Sequence, residues 1–131
     1  MKQLSTLFIL LLVALLGVTS CGSDEPVGIW EKMKWTNVND LKNVQGVYII
    51  PEEGGTFTFL CRNYEKPWFS MAVGHETEFR GEWFSAKFEG NKMIVTVDAL
   101  PQAVDSRNFS LQVTAGDIFD TFLFRQEKGA Y

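Results

Sequence analysis

Apolar and polar residues alternate in short runs along most of the chain after residue 26. In the clearest run, residues 56–62, Phe57, Phe59 and Cys61 fall on one face of an extended segment and mostly polar residues fall on the other. No stretch of this part shows convincing helical periodicity. Further short runs occupy residues 27–35, 46–50, 68–73, 83–88, 93–97, 109–114 and 118–126. This pattern predicts an all-β domain, an immunoglobulin-like sandwich of about seven antiparallel strands.

Proline and glycine residues between these runs predict where strands end and where turns connect them. Pro51 ends the run at 46–50 because proline has no amide hydrogen to donate to a ladder. The pair Gly54–Gly55 precedes residues 56–62, and Gly90–Asn91 can form the tight turn of a hairpin. Cys61 shares the apolar face of residues 56–62 with Phe57 and Phe59, so it is expected to be a small buried residue within a strand.

The first twenty residues have a different pattern, typical of an export signal. Lys2 precedes the apolar stretch 7–18, which is too short to span a bilayer as a helix. The stretch ends in Val-Thr-Ser-Cys at 18–21, which resembles the lipobox of bacterial lipoproteins. That resemblance implies a lipid on the Cys21 thiol and cleavage before it, and two or more acyl chains anchor a protein durably to a membrane.

The residues after Cys21 predict where the domain is displayed. Residues 22–26 read Gly-Ser-Asp-Glu-Pro, a short acidic tether similar to the surface-export signal of Bacteroidetes lipoproteins. The chain is thus interpreted as a signal peptide (1–20), a lipidated tether (21–26) and one domain (27–131). The expected location is the outer membrane of a bacterium, at the cell surface.

Charge and composition restrict the possible partners. The formal net charge is -4, and removal of Lys2 with the signal would leave the mature chain more negative. An acidic chain lacks the basic face that nucleic acid requires. Lipidation of Cys21 would leave Cys61 without a disulfide partner, and the chain's one histidine, His75, lies in a polar segment. No metal site, cofactor or catalytic centre is expected.

Several segments together are similar to the BACON domain, an immunoglobulin-like sandwich of Bacteroidetes envelope proteins. They are residues 54–59 (Gly-Gly-Thr-Phe-Thr-Phe), Trp68, Trp83 and the closing residues 122–126 (Phe-Leu-Phe-Arg-Gln). The resemblance covers roughly residues 47–126 and implies binding of carbohydrate or mucin glycans. It carries no residue motif for a binding site. BACON domains often adjoin glycoside hydrolase modules, whereas this chain is interpreted as a single domain after its tether.

A second fold is suggested by Val-Gly-Ile-Trp at 27–30, because Gly-x-Trp opens the lipocalin-like barrels. The part of the chain after the tether has about 110 residues, which is short for eight full strands with their loops. The barrel is therefore the alternative to the predicted sandwich.

Aromatic residues are the candidates for ligand binding, because a sugar can stack on a flat ring while nearby polar groups bind its hydroxyls. Trp83 is the first candidate, since strand alternation turns it away from the face of Phe84. Tyr64 and Trp68 follow. The resulting hypothesis is a non-catalytic lipoprotein that binds glycans. The alternative is a structural or protein-interaction subunit of an outer-membrane assembly.

Overall fold

The computed structural model describes residues 31–71 and 76–131, and residues 32–131 form one compact unit. The predicted signal, the tether with Cys21, the Gly-x-Trp segment and His75 lie outside the described residues. Within them, no helix is long and apolar enough to cross a membrane. The described elements are ten strands: β1 (Trp35–Asn37), β2 (Asn43–Val44), β3 (Val47–Ile50), β4 (Gly55–Cys61), β5 (Trp68–Phe69), β6 (Glu78–Arg80), β7 (Phe84–Glu89), β8 (Lys92–Val97), β9 (Ser106–Thr114) and β10 (Phe119–Glu127).

The strands form two five-stranded sheets, in the orders β1-β4-β8-β7-β6 and β2-β3-β10-β9-β5. The orders β4-β8-β7 and β5-β9-β10 correspond to the B-E-D and C-F-G strands of an immunoglobulin-like sandwich. The predicted β-sandwich is confirmed. The barrel alternative is wrong, because the sheets stay separate and each has two edges.

The core lies between the two sheets and follows the predicted alternation. Phe57, Phe59 and Cys61 of β4 are buried, and β8 buries every second residue from Met93 to Val97. The second sheet contributes Ile50, Leu111, Val113, Phe122 and Phe124. Phe59 is fully buried, with its ring centroid 5.1 Å from that of Phe122 and 5.8 Å from that of Phe124.

The expected number and direction of strands need correction. Ten strands replace about seven: β1 begins at Trp35, where the run 27–35 ends, and the segments 36–45 and 74–81, which the sequence predicts as polar connections, contain two further short edge strands, β2 and β6. Strands of two or three residues are too short to show a clear hydrophobic alternation, although Phe79 of β6 packs against the core. The sheets are also not wholly antiparallel, since β3 pairs with β10 in parallel.

Gly54 lies in the tight connection before β4. Its φ is +74°, and a Cβ atom there would overlap the carbonyl oxygen of Val97 and the backbone of Asp98. Gly46 also has a positive φ, +89°, but no heavy atom lies within 4 Å of its Cβ position. Gly54 therefore has both a conformational and a steric reason to be glycine, whereas Gly46 has only the first.

We expect Gly54→Ala to destabilise the domain by about 2 kcal/mol, because left-handed strain adds to the backbone overlap. Gly46→Ala is the matched control and should cost about 1 kcal/mol. Urea unfolding followed by circular dichroism measures both. If the two variants lose the same free energy of unfolding, the overlap of a Cβ atom at residue 54 with the Val97 carbonyl contributes nothing to the loss.

Candidate ligand-binding surface

Trp83 lies at one end of the sandwich and is half-buried. Strand alternation predicts that it faces away from the core, but it precedes the first residue of β7 and packs against the core. Its ring centroid lies 5.2 Å from those of both Phe84 and Phe109. The guanidinium carbon of Arg107 lies 4.0 Å from the Trp83 centroid and covers one ring face. A sugar could stack on that face only by displacing the guanidinium.

Trp68 and Tyr64 do not share a site with Trp83. Trp68 pairs with Thr114 at the far end of β9 from Arg107, and the strand between these two residues spans about 23 Å at roughly 3.3 Å per residue. Trp68 is half-buried and lines a small cavity of about 390 Å³ with Pro67 and Phe88. Tyr64 packs against the core. Trp68 is thus remote from Trp83.

A groove of about 670 Å³ crosses the outer face of the second sheet. Its floor is apolar: Val44 is 49% exposed and Leu123 is 44% exposed, with Val47 beside them. Amide, hydroxyl and charged groups surround this floor, from Gln45, Asn108, Ser110, Arg125 and Glu127. Sequence reasoning overlooked this surface because no aromatic residue marks its floor.

The register of three strands brings the groove residues together. The parallel β3–β10 pair sets Val47 beside Leu123, and the antiparallel β9–β10 pair sets Ser110 on the other side of Leu123. Asn108 is likewise opposite Arg125. Because paired residues project from the same face, the aliphatic floor and the polar side chains lie next to one another.

The C-terminal residues border one end of the groove. The Tyr131 hydroxyl donates a hydrogen bond to the carbonyl of Ile49 and accepts one from the Lys42 amide at 3.0 Å. The Lys42 ammonium donates to the carbonyl of Ala130 at 2.6 Å and lies 4.8 Å from the centroid of the Tyr131 ring. These contacts hold the chain end against β3.

The charged groups near the groove are exposed. Arg125 and Glu127 approach to 3.7 Å with side chains 50% and 38% exposed, so their ion pair contributes little to stability. Both side chains remain accessible to a ligand. An oligosaccharide presents C–H faces and hydroxyls, which match an aliphatic floor flanked by donors and acceptors.

A buried polar network closes the end of the sandwich near Trp83. Gln126 is fully buried, and its amide nitrogen donates to the carbonyls of Asp98, Pro51 and Glu52 at 2.9, 3.1 and 3.3 Å. Its oxygen accepts a 2.8 Å hydrogen bond from Nε of Arg107. Desolvation lowers the pKa of the Arg107 guanidinium, and the negative charge of Asp98 opposes that shift. The network joins the two sheets and has a structural role.

The remaining candidates for chemistry are few. Cys61 is fully buried, and its thiol lies 3.6 Å from the amide oxygen of Asn63, in agreement with a structural residue. Among residues 31–71 and 76–131, no three His, Cys, Asp or Glu side chains are grouped to hold a metal ion.

Comparison with known proteins adds a relative. No family model matches the chain. No curated protein matches it either. An NMR structure of a protein from Bacteroides thetaiotaomicron is 31% identical, covers 86% of this chain and 100% of its own, and superposes with a TM-score of 0.64. The chain belongs to the same family as this Bacteroides thetaiotaomicron protein.

Proposed function

We propose that this protein is a non-catalytic, BACON-like binding domain of the bacterial envelope and that its groove holds a carbohydrate chain. The observation that carries the proposal is the groove on the outer face of the second sheet, where Val44, Val47 and Leu123 form an aliphatic floor between polar side chains. A saccharide buries its C–H faces on such a floor and exchanges hydrogen bonds through its hydroxyls.

The shape of the groove suits a short, unbranched segment of glycan. It is open to solvent along a sheet face, so a chain can enter from the side. The flanking groups include both donors and acceptors, from Asn108, Ser110 and Arg125 among others. Such a surface suits a polymer that is uncharged or carries few negative charges, because Lys42, Arg125 and Glu127 line the groove.

Export and lipidation complete the proposal. The lipobox ending at Cys21 would anchor the protein in the outer membrane, and the acidic tether would display it at the cell surface. The relative from Bacteroides supports the lineage that the tether suggests. In this position the domain would meet glycans outside the cell.

We expect oligosaccharides released from gastric mucin, or cellohexaose as a plant-type glycan, to shift the amide resonances of Leu123 and Arg125 in a titration of residues 22–131. Leu123→Asp should weaken that binding about tenfold, or about 1.4 kcal/mol, because a charge replaces the apolar floor. Phe119→Asp is the control, since Phe119 is 67% exposed on the same strand and lies outside the groove.

Either of two results would contradict the proposal. One is the absence of shifts in groove residues with every oligosaccharide. The other is equal binding by Leu123→Asp and Phe119→Asp. Shifts confined to Trp83 and its neighbours would instead place the sugar on the indole.

A further inference from the structure

Residues 129–131 cover an apolar residue at one end of the groove. Ile49 points to the outer face of the second sheet, because Tyr48 and Ile50 on either side of it pack into the core between the sheets. Ile49 is nevertheless only 6% exposed, whereas Leu123 on the same outer face is 44% exposed. Ala130 lines the groove together with Ile49. We call residues 129–131 the strap, and the strap shortens the exposed aliphatic floor.

The hydroxyl of Tyr131 takes the place of a backbone hydrogen bond. β2 and β3 form an antiparallel hairpin, in which Asn43 pairs with Tyr48, and the next pair along is Lys42 with Ile49. The Ile49 amide donates to the Lys42 carbonyl at 2.8 Å, so this pair has the closely spaced geometry in which two reciprocal bonds form. The reciprocal donor, the Lys42 amide, instead donates to the Tyr131 hydroxyl at 3.0 Å, and that hydroxyl donates to the Ile49 carbonyl. The hydroxyl is thus inserted into the ladder.

The described contacts that hold the strap are polar and lie at the surface. Besides the two bonds of the Tyr131 hydroxyl, the Lys42 ammonium donates to the Ala130 carbonyl at 2.6 Å and lies over the Tyr131 ring. The Gly129 amide donates to the Glu52 carboxylate at 3.2 Å. Such hydrogen bonds exchange with water at a small net gain. Tyr131 is 63% exposed, so closing the strap buries little of its own apolar surface.

Opening the strap need not leave a backbone group without a partner. When the hydroxyl leaves, the Lys42 amide and the Ile49 carbonyl can bond directly, because the first bond of the pair already aligns them. Ile49 would then extend the exposed floor by about 7 Å beyond Val47, at roughly 3.3 Å per residue of β3. That length gives room for a further sugar residue, and the freed Lys42 ammonium is a donor for its hydroxyls.

We propose that the strap is a displaceable end of the groove: a glycan longer than the exposed floor displaces residues 129–131, packs against Ile49 and binds the Lys42 ammonium. This inference rests on the carbohydrate function proposed above and adds a subsite to that groove. The Tyr131 hydroxyl completes the ladder in the closed state, and the direct backbone bond completes it in the open state. A ligand that contacts Ile49 only in the open state shifts the population toward that state.

The first test needs no ligand and compares Tyr131→Phe with the wild type, both as residues 22–131. Phenylalanine cannot bridge the Lys42 amide and the Ile49 carbonyl, so the direct bond should form and the strap should open. A soluble gadolinium chelate should then relax the Ile49 methyl protons at least about twofold faster in the variant, while the Lys42 amide exchanges within about threefold of its wild-type rate. Tyr48→Phe is the control, because it removes a hydroxyl from the core face of β3 and should change neither signal.

The second test titrates both proteins with cellotriose and cellohexaose, and with short and long oligosaccharides from gastric mucin. The longer sugar of the series that binds should bind Tyr131→Phe at least about threefold tighter than the wild type, because the open state is already populated in the variant. The shorter sugar should bind both proteins equally, since it fits the exposed floor. In the wild type, the longer sugar should shift the amide resonance of Tyr131 toward its position in an unstructured peptide, and the shorter sugar should not.

Each signal has an outcome that would overturn the proposal. Unchanged relaxation of Ile49 in Tyr131→Phe, or Lys42 amide exchange faster by more than about threefold, would show that the direct bond does not replace the hydroxyl. Equal affinity of the two proteins for the longer sugar would overturn the displacement of the strap and leave the carbohydrate function intact. Absence of binding with every sugar would overturn the carbohydrate function and the displacement by a glycan together.

Discussion

Phe59→Ala should lower the free energy of unfolding by about 4 kcal/mol, the largest loss we expect from a single substitution in this domain. Phe59 is fully buried, and its ring packs across the interface against three rings of the opposite sheet: Tyr48, Phe122 and Phe124 lie 4.9, 5.1 and 5.8 Å away between centroids. Truncation removes these contacts and leaves a cavity that backbone pairing on β4 prevents from closing. A domain of this size has only about 5–15 kcal/mol of stability in total.

Phe119→Ala is the matched control for this experiment. Phe119 is also a strand phenylalanine, but it is 67% exposed, so its loss should change stability by less than about 0.5 kcal/mol. Urea titrations of both variants give the two free energies of unfolding, provided that the dependence of the unfolding free energy on urea concentration is the same as in the wild type. Similar losses for the two variants would contradict the position of Phe59 between the sheets.

Gln126→Leu should lower the free energy of unfolding by about 3 kcal/mol, although leucine is more hydrophobic than glutamine. The substitution removes the side-chain amide donor of the Pro51 and Asp98 carbonyls and the acceptor of the Arg107 Nε, while Nη2 of Arg107 keeps its hydrogen bonds to the carbonyls of Asp98 and Ala99. Because Gln126 is fully buried, water cannot replace these hydrogen bonds without opening the end of the sandwich.

Gln112→Leu tests whether the effect belongs to the network rather than to the residue type. Gln112 is exposed on β9 of the same sheet, and its hydrogen bonds to Ser70 and Met71 use backbone atoms. We expect a change within about 0.5 kcal/mol. A second readout is the amide resonance of Leu100, whose N–H donates to the Glu52 carbonyl beside Gln126. If the Gln126→Leu variant is as stable as the wild type, the hydrogen-bond network of Gln126 does not stabilise the fold.

The candidate site could be predicted only in part. Aromatic content and the BACON-like segments led to the choice of Trp83, Tyr64 and Trp68 as candidates. An aromatic residue in a β-sandwich can pack in the core or bind a ligand, and the sequence pattern is the same in both cases. The structure places Trp83 beneath Arg107 and Trp68 at the opposite end of β9. A half-buried tryptophan and an exposed one have the same sequence signal, because burial depends on residues distant in the chain.

The groove illustrates the same limit. Leu123 and Val47 belong to strands separated by most of the domain, and a parallel pairing makes them neighbours. Alternation along β10 does indicate that Leu123 faces away from Phe122 and Phe124. It does not indicate that β3 lies beside that strand.

Local periodicity by itself determined the all-β class, the buried faces of β4, β7 and β8, and the burial of Cys61, because side chains of a strand alternate between core and solvent whatever lies next to it. Tertiary structure decided the polar edge strands β2 and β6, the parallel β3–β10 pair and the Gln126 network. These features consist of backbone pairing and long-range hydrogen bonds, which depend on which strands become neighbours rather than on the pattern within any one of them.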